Sequence, residues 1–540
     1  MKQFKKLFFC AVGIFLLFDS CTTDFQQVNS NPTSPNSTTI APLMNGIISS
    51  LLLGWDEQAS ISNDWYYEST QLAGETSLSG YLMASGVNEI WNGYYSTLQN
   101  INQAQDLINA ASDKESFNNI QAILYTLKAY KTFRITDQFG DIPYFNAGKA
   151  YTGSATALHP AYDKQQVIYD SLLVNLSWAV SNINTSSNPV SSKGNAYATL
   201  GSYDVLYGDN MTKWKAWANS LLLRYSLQIA EKDPATSAKY VAIAFNANTF
   251  IADGADVCMW PALLGGLDLS DRIWSLGSGG TGYVRISSTC WNLMADGTNT
   301  SDIFDPRAFV FAEPNAAGAW APYVIGSGVA DQVNPYDYTM TAGSPQNMHG
   351  CIFSPINYWL VRDEHYIPEI IMTSAETHFL KAEAYLRGIG VSQSTTNANT
   401  EYQAGITASV NFWYYIAQHT NTTEDPWTTV EPLSFTPAQL TTLLANSKVA
   451  FTSSTSDDLN KIYAQEWLDN FRQPWLAFNL WRRTGLTPTD PAAVEDESHA
   501  SLYRLTYPQD EAVNNTANYN AELQTMNSVN STSFKVWWMK

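Results

Sequence analysis

TSAETHFLKAEAYLRGIG, residues 373–390, reads as one helix with both of its ends written into it. Thr373 and Glu376 stand at the spacing of a capping box, in which a hydroxyl and a carboxylate satisfy amides that the first helical turn leaves unbonded. Gly388 offers the left-handed residue that commonly closes a helix. A polar segment of about a dozen residues follows, and TEYQAGITASVNFWYYIAQ (400–418) then reads as a partner helix, the arrangement of an αα-hairpin.

The same grammar recurs along the chain. NNIQAILYTLKAYKTFRITDQ (118–138) carries Ile120, Ile123, Leu124, Leu127 and Tyr130 at the period of a one-sided helix, and Gly140 and Pro143 end it. Further helices are expected from Asp163 through DKQQVIYDSLLVNLSWAVSNI, and through KWKAWANSLLLRYSLQIAEKD, the latter closed by Pro234. NKIYAQEWLDNFRQPWLAFNLWRRTG (460–485) reads as a long helix kinked at Pro474. Helices that arrive in neighbouring pairs suit helical-repeat proteins, but no period of fixed length recurs, so tetratricopeptide-like repeats would have diverged strongly. The expected fold class is therefore mainly α.

Residues 250–365 break the pattern. Helical periodicity fails there, Gly and Pro are frequent, and Trp260, Trp274, Tyr283, Trp291, Trp320, Tyr323, Tyr336, Tyr338, Tyr358 and Trp359 cluster with Cys258, Cys290 and Cys351. Long irregular segments in compact proteins tend to carry function, and this one is expected to sit as an insertion on the helical scaffold. The three cysteines fit one disulfide plus a buried thiol as well as three buried thiols, and no CxxC spacing suggests zinc.

At the N-terminus, Lys2, Lys5 and Lys6 precede the uncharged run Leu7 to Phe18, which is a basic n-region and an apolar h-region. No stretch reaches the roughly 18 apolar residues that a membrane-spanning helix needs. Cleavage by ordinary signal peptidase competes with lipid attachment to Cys21. The position of Cys21 after Ser20 favours the lipid, although Phe18 and Asp19 depart from a regular lipobox. Residues 1–20 are then the signal, 21–41 a tether, and 42–540 one helical domain. Charged residues are only 14% of the chain, against a usual ~25%, so much of the polar surface must be uncharged. The net charge is −20, and removing residues 1–20 takes away three Lys and one Asp to leave −22. Such a field repels nucleic acid and anionic headgroups, which points to neutral ligands.

Six segments together resemble one family: TDQFGDIPY (136–144), HPAYDKQQVIYDSLL (159–173), YGDNMTKWKAWANSLLLRYSLQIA (207–230), TSAETHFLKAEAYLRG (373–388), FRQPWLAFNLWRRTG (471–485) and RLTYPQDEAVNN (504–515). In this order they are similar to the SusD/RagB proteins of Bacteroidetes, in particular the second SusD-like branch. The resemblance implies a SusD-like fold of tetratricopeptide-like helix pairs in a surface-exposed outer-membrane lipoprotein. It also implies a non-catalytic role, capturing oligosaccharides, or in some members peptides, for a SusC-like TonB-dependent transporter.

Sugar rings lay their C–H faces on Trp and Tyr while their hydroxyls bond to Asn, Asp, Gln and Arg. Trp214, Trp217, Trp467, Trp475 and Trp481 lie at helical spacings and read as core. Trp65, Tyr66 and Tyr67 in SNDWYYES, Tyr81, and Trp274, Trp291, Trp320 and Tyr336 occupy loop-like sequence and are the candidate ligand contacts. Arg482 and Arg483 are expected to complement a helix C-terminus and to pair with carboxylates. The GxGxxG at Gly277, Gly279 and Gly282 lacks a preceding strand and reads as a loop. A helical glycosidase would need two distinguished carboxylates. Asp253, Asp256, Asp268, Asp271, Asp302 and Asp305 are available, but nothing singles out a pair. No cofactor is expected, and the Asp- and Asn-rich loops leave room for a structural calcium ion without EF-hand spacing.

Overall fold

The computed structural model of the chain describes residues 39–76, 83–264, 284–331, 351–357, 360, 368–420, 434–494 and 500–540. The signal, Cys21, most of the tether, Tyr81, Trp274, Tyr336 and the GxGxxG segment lie outside the described residues.

The longer α-helices are α1 (Ile40–Ser49), α2 (Met83–Ala110), α3 (Asn118–Phe139), α4 (Gln165–Asn182), α5 (Met211–Gln228), α6 (Pro234–Ala247), α7 (Ser374–Arg387), α8 (Thr395–Thr420), α9 (Thr455–Asp469) and α10 (Pro474–Thr484). Successive helices pack as pairs, α1 on α2, α3 on α4, α5 on α6 and α7 on α8, so the mainly helical architecture of helix pairs is present. The strands are short and form two-stranded antiparallel ladders: β1 (Ala73–Glu75) with β5 (Val284–Ile286), β2 (Ile142–Pro143) with β3 (Tyr162–Asp163), and β4 (Val257–Met259) with β6 (Glu369–Met372). The first and third stitch the 250–365 region to the scaffold, in which Arg307 pairs with Asp305 at 2.6 Å and reaches Ser409 of α8 and Gln465 of α9.

The opening stretch forms α7 with one departure from expectation. The Thr373 hydroxyl accepts from the Glu376 amide at 3.0 Å, and Gly388 adopts φ 68°, ψ 32°. Glu376 does not reach back to complete a capping box; its carboxylate takes both arms of Arg224 on α5. Two turns on, Glu383 accepts from Arg387, from Tyr463 on α9 and twice from Arg483 on α10. Arg483 therefore serves a buried ion pair rather than the helix dipole alone. Arg482 donates to the Asp137 and Tyr503 carbonyls and to the Asn479 side chain.

A second centre is Asp137 of α3. Its carboxylate accepts from Tyr169 of α4, Asn479 of α10 and the Trp538 indole. The Leu505 amide reaches the Gln138 carbonyl and the Tyr507 hydroxyl the Asp141 carbonyl, which joins RLTYPQDE to the same place. All six segments that carry the resemblance thus meet at two buried polar centres, which explains residue choices that periodicity alone does not.

Two prolines behave differently from expectation. Pro474 breaks the long helix outright: α9 ends at Asp469, a short 3₁₀ turn spans Asn470–Arg472, and Pro474 begins α10 at its first position, where a missing amide costs nothing. Pro234 likewise opens α6, with the Asp233 side chain capping Thr236 at 3.0 Å. Trp214, Trp217, Trp467 and Trp475 are buried, and Trp481 packs partly buried against the core. Cys258, Cys290 and Cys351 are three buried free thiols, which resolves the alternatives left open by their number.

Candidate functional site

Five of the candidate ligand aromatics are packed inside. Residues 57–66 are a π-helix and 67–70 an α-helical turn, so Trp65, Tyr66 and Tyr67 lie on helix rather than loop. Tyr66 stacks on Phe478 at 4.8 Å and donates to Gln138, and Tyr67 meets the edge of Phe471 at 6.1 Å. Trp291 and Trp320 stack on each other at 5.0 Å and donate to the Gly297 carbonyl and the Thr300 hydroxyl. Trp65 is 8% exposed. Rings enclosed in this way anchor the segments that carry them. An irregular chain needs such anchors because it lacks a continuous helix face to bury.

An open aromatic cleft lies where the β4 strand leaves the scaffold. Asp253, Gly254, Asp256, Cys258 and Trp260 form one wall, and Ala408, Asn411, Phe412 and Tyr415 of α8 form the other, around about 370 Å³. Asn411, Tyr415 and His419 follow one another at four-residue intervals, so they stand on one exposed face of α8. Tyr415 is 47% exposed, unlike its neighbours Tyr414 and Trp413. The Trp260 ring meets Tyr415 edge-on at 5.9 Å and 83°, and His419 stacks behind Tyr415 at 3.8 Å. Two rings at right angles with amide and carboxylate groups between them form an apolar corner with a few directed polar groups, the usual make-up of a ligand site.

The carboxylates of this cleft are held in place by α7. Asp256 Oδ1 accepts from the Ser374 amide at 2.7 Å and hydroxyl at 3.0 Å, satisfying a donor that the first turn of α7 leaves over. Desolvation pushes the Asp256 carboxyl up. Asp253 Oδ1 lies 2.9 Å from His378 Nε2, and the other ring nitrogen faces Glu401 at 2.6 Å. Burial of His378 disfavours its charge, but Glu401 and Asp253 outweigh that and raise its pKa. These engagements give Asp253 and Asp256 structural duties, and Asp302 and Asp305 are likewise occupied, by Asn299 and Arg307. Among the described residues no group of three or more His, Cys, Asp or Glu is arranged to hold a metal ion, and no helix is long and apolar enough to cross a membrane.

A second cleft of about 300 Å³ contains Lys131 and Arg134 with Glu57 and Glu89, and a third of about 350 Å³ contains Lys164, Arg504 and Lys535 with Asp141 and Glu522. Both mix charges of either sign, and neither sets a half-buried Trp against an exposed Tyr.

The family model described as SusD-like, starch-binding associating with outer membrane, matches residues 30–508. This chain is a SusD-like protein. A solved chitin-binding protein matches at 22% identity and TM-score 0.69, over 93% of this chain and all of its own. SusD homologues from Bacteroides fragilis (19%, TM-score 0.68, 93% and 100% covered) and Parabacteroides distasonis (19%, TM-score 0.69, 93% and 98% covered) share the fold. No curated protein matches the chain. The SusD-like fold and the association of the family with the outer membrane and with nutrient binding follow from this membership.

Sequence reasoning named Trp260, Asp253 and Asp256 separately but did not bring them together, and it missed Tyr415 and Asn411. The available signal was on α8, where Asn411, Tyr415 and His419 recur at every fourth position.

Proposed function

We propose that this SusD-like protein is a lipid-anchored, surface-exposed outer-membrane protein that binds oligosaccharides and hands them to a SusC-like TonB-dependent transporter. The observation that carries the binding part is the Trp260–Tyr415 corner with Asn411, Asp253 and Asp256 beside it. A pyranose C–H face lies on one ring, its edge meets the other, and the polar side chains take its hydroxyls. Tyr81, Trp274 and Tyr336 remain proposed contacts of the same kind. Cys21 carries the lipid, residues 21–41 are the tether, and residues 42–540 act as one lid-like unit. No catalytic step and no cofactor is assigned.

Titration of the mature chain with a panel of neutral oligosaccharides, followed by calorimetry, tests the reading. Saturable binding that falls at least about tenfold in Trp260→Ala and in Tyr415→Ala is expected, as stacking aromatics contribute about 1–3 kcal/mol each. Binding of peptides alone would transfer the cargo to the alternative class, and steady release of new reducing ends would replace the binding role with glycosidase action. Recovery of the protein as a monomer under mild detergent would remove the transporter from the proposal.

A further inference from the structure

The cleft is one-sided in charge. Among the described residues that line it none is Lys or Arg, whereas the two other clefts described above carry cations. Its two carboxylates are each bonded to α7 through Oδ1, Asp253 to His378 and Asp256 to Ser374. Asp253 therefore keeps its Oδ2 without a protein donor among the described residues, and Asp256, which also takes its own backbone amide, stands beside it on a wall that also presents Trp260. The Asp253 side chain is 68% exposed. Behind the wall the charges run Asp253, His378, Glu401, Lys381, with Lys381 and Glu401 2.6 Å apart. Even with His378 protonated, that chain is balanced and Asp256 is one negative charge in excess. Aromatic faces also attract cations through their quadrupoles, and Trp260 and Tyr415 supply two.

From this arrangement, and resting on the oligosaccharide reading above, we infer that the cleft selects sugars bearing a free ammonium group, 2-amino-2-deoxy sugars, over neutral and anionic ones. The ammonium sits between the Asp253 and Asp256 carboxylates, and the ring above it lies on Trp260 or Tyr415. A uronate or sulfated residue placed there would meet two carboxylates and no cation, inside a molecule whose net charge is already strongly negative. Charge-assisted bonds of this kind are roughly twice as strong as neutral ones.

The test compares glucosamine tetramer, N-acetylglucosamine tetramer, galacturonate tetramer and a lysine-containing tetrapeptide on the mature chain at about pH 6.5, where a sugar ammonium is still charged. The amino-sugar tetramer is expected to bind about tenfold more tightly than its N-acetylated form, and the galacturonate not at all. The preference should shrink in high salt. Asp253→Asn and Asp256→Asn keep the shape and the caps. They should bring the ratio of the two glucosamine ligands toward one, with the charged form losing more affinity than the neutral form. Equal affinity for the charged and neutral forms, a ratio unmoved in both variants, or tighter binding of the peptide would overturn the inference. Trp260→Ala separates the two levels: if all binding survives it, the cleft itself is misassigned, and if binding needs Trp260 but ignores charge, only the amino-sugar preference fails.

Discussion

Glu383 and Glu466 face the same cation from opposite situations. Burial alone would raise the Glu383 carboxyl, but Arg483 and Arg387 beside it hold it below the usual range. Its stabilisation is therefore present above the ordinary glutamate pKa and is lost as pH falls through the lowered folded value. Glu466 lies 4.0 Å from Arg483, and desolvation pushes its carboxyl up to about 8. Stability linked to Glu466 accordingly falls as pH rises from the ordinary value toward 8, because folding must then take up a proton that the unfolded carboxylate has lost. Chemical denaturation at neutral pH should show Glu383→Ala costing about 3–5 kcal/mol, as the loss of one partner of a buried pair does. Glu466→Gln, which resembles the protonated form already present, should stay within about 1 kcal/mol of the parent. An equal loss in both variants would contradict this division of roles. Neither assignment was legible in the sequence, where both residues are simply acids on amphipathic helices.

At the scale of elements, α7 and α8 touch closely enough to exclude a methyl group. A Cβ on Gly405 of α8 would lie 2.6 Å from the Phe379 ring and 3.1 Å from His378 Cβ. Elsewhere in a helix, Gly→Ala stabilises by about 1 kcal/mol through backbone entropy. Here Gly405→Ala should instead destabilise by about 1–3 kcal/mol, the usual cost of overpacking, and thermal unfolding would report the sign. A gain in stability would mean that the two helices have room to part. Helices with caps and clear periodicity, such as α3 and α7, were legible from end to end. The breaks at Pro474 and Pro234 were read as a kink and a stop because proline marks a boundary without saying on which side the next helix begins. The π-helix at 57–66 carries polar residues on its buried face, Gln58, Ser62, Asn63 and Asp64 among them, so it imitates a loop in composition. That imitation drew Trp65, Tyr66 and Tyr67 into the candidate site.

For the whole molecule, the decisive expectation is attachment. Cys21→Ala should still be exported but lose lipid labelling and membrane retention, measured by palmitate incorporation and fractionation. Unchanged membrane association would sink the assignment of Cys21. The family was legible because the six segments that carry the resemblance are contiguous in sequence, and in this fold they sit at two buried polar centres. The cleft was not, because Trp260 and Tyr415 are distant in the chain and both segments also use aromatics as core. Only the fold brings a strand exit against one face of α8.

The Asp137 centre also bears on how the chain is made. Its carboxylate waits for a Trp538 indole that lies 401 positions further along. At about 5–20 residues per second, synthesis delivers that partner roughly 20–80 s after Asp137 itself has emerged. Throughout that interval α3 and α4 carry a buried acid without its full set of donors, so the N-terminal helix pairs have little reason to lock early. A nascent chain that stays loosely folded in this way is one that a secretion channel can still thread.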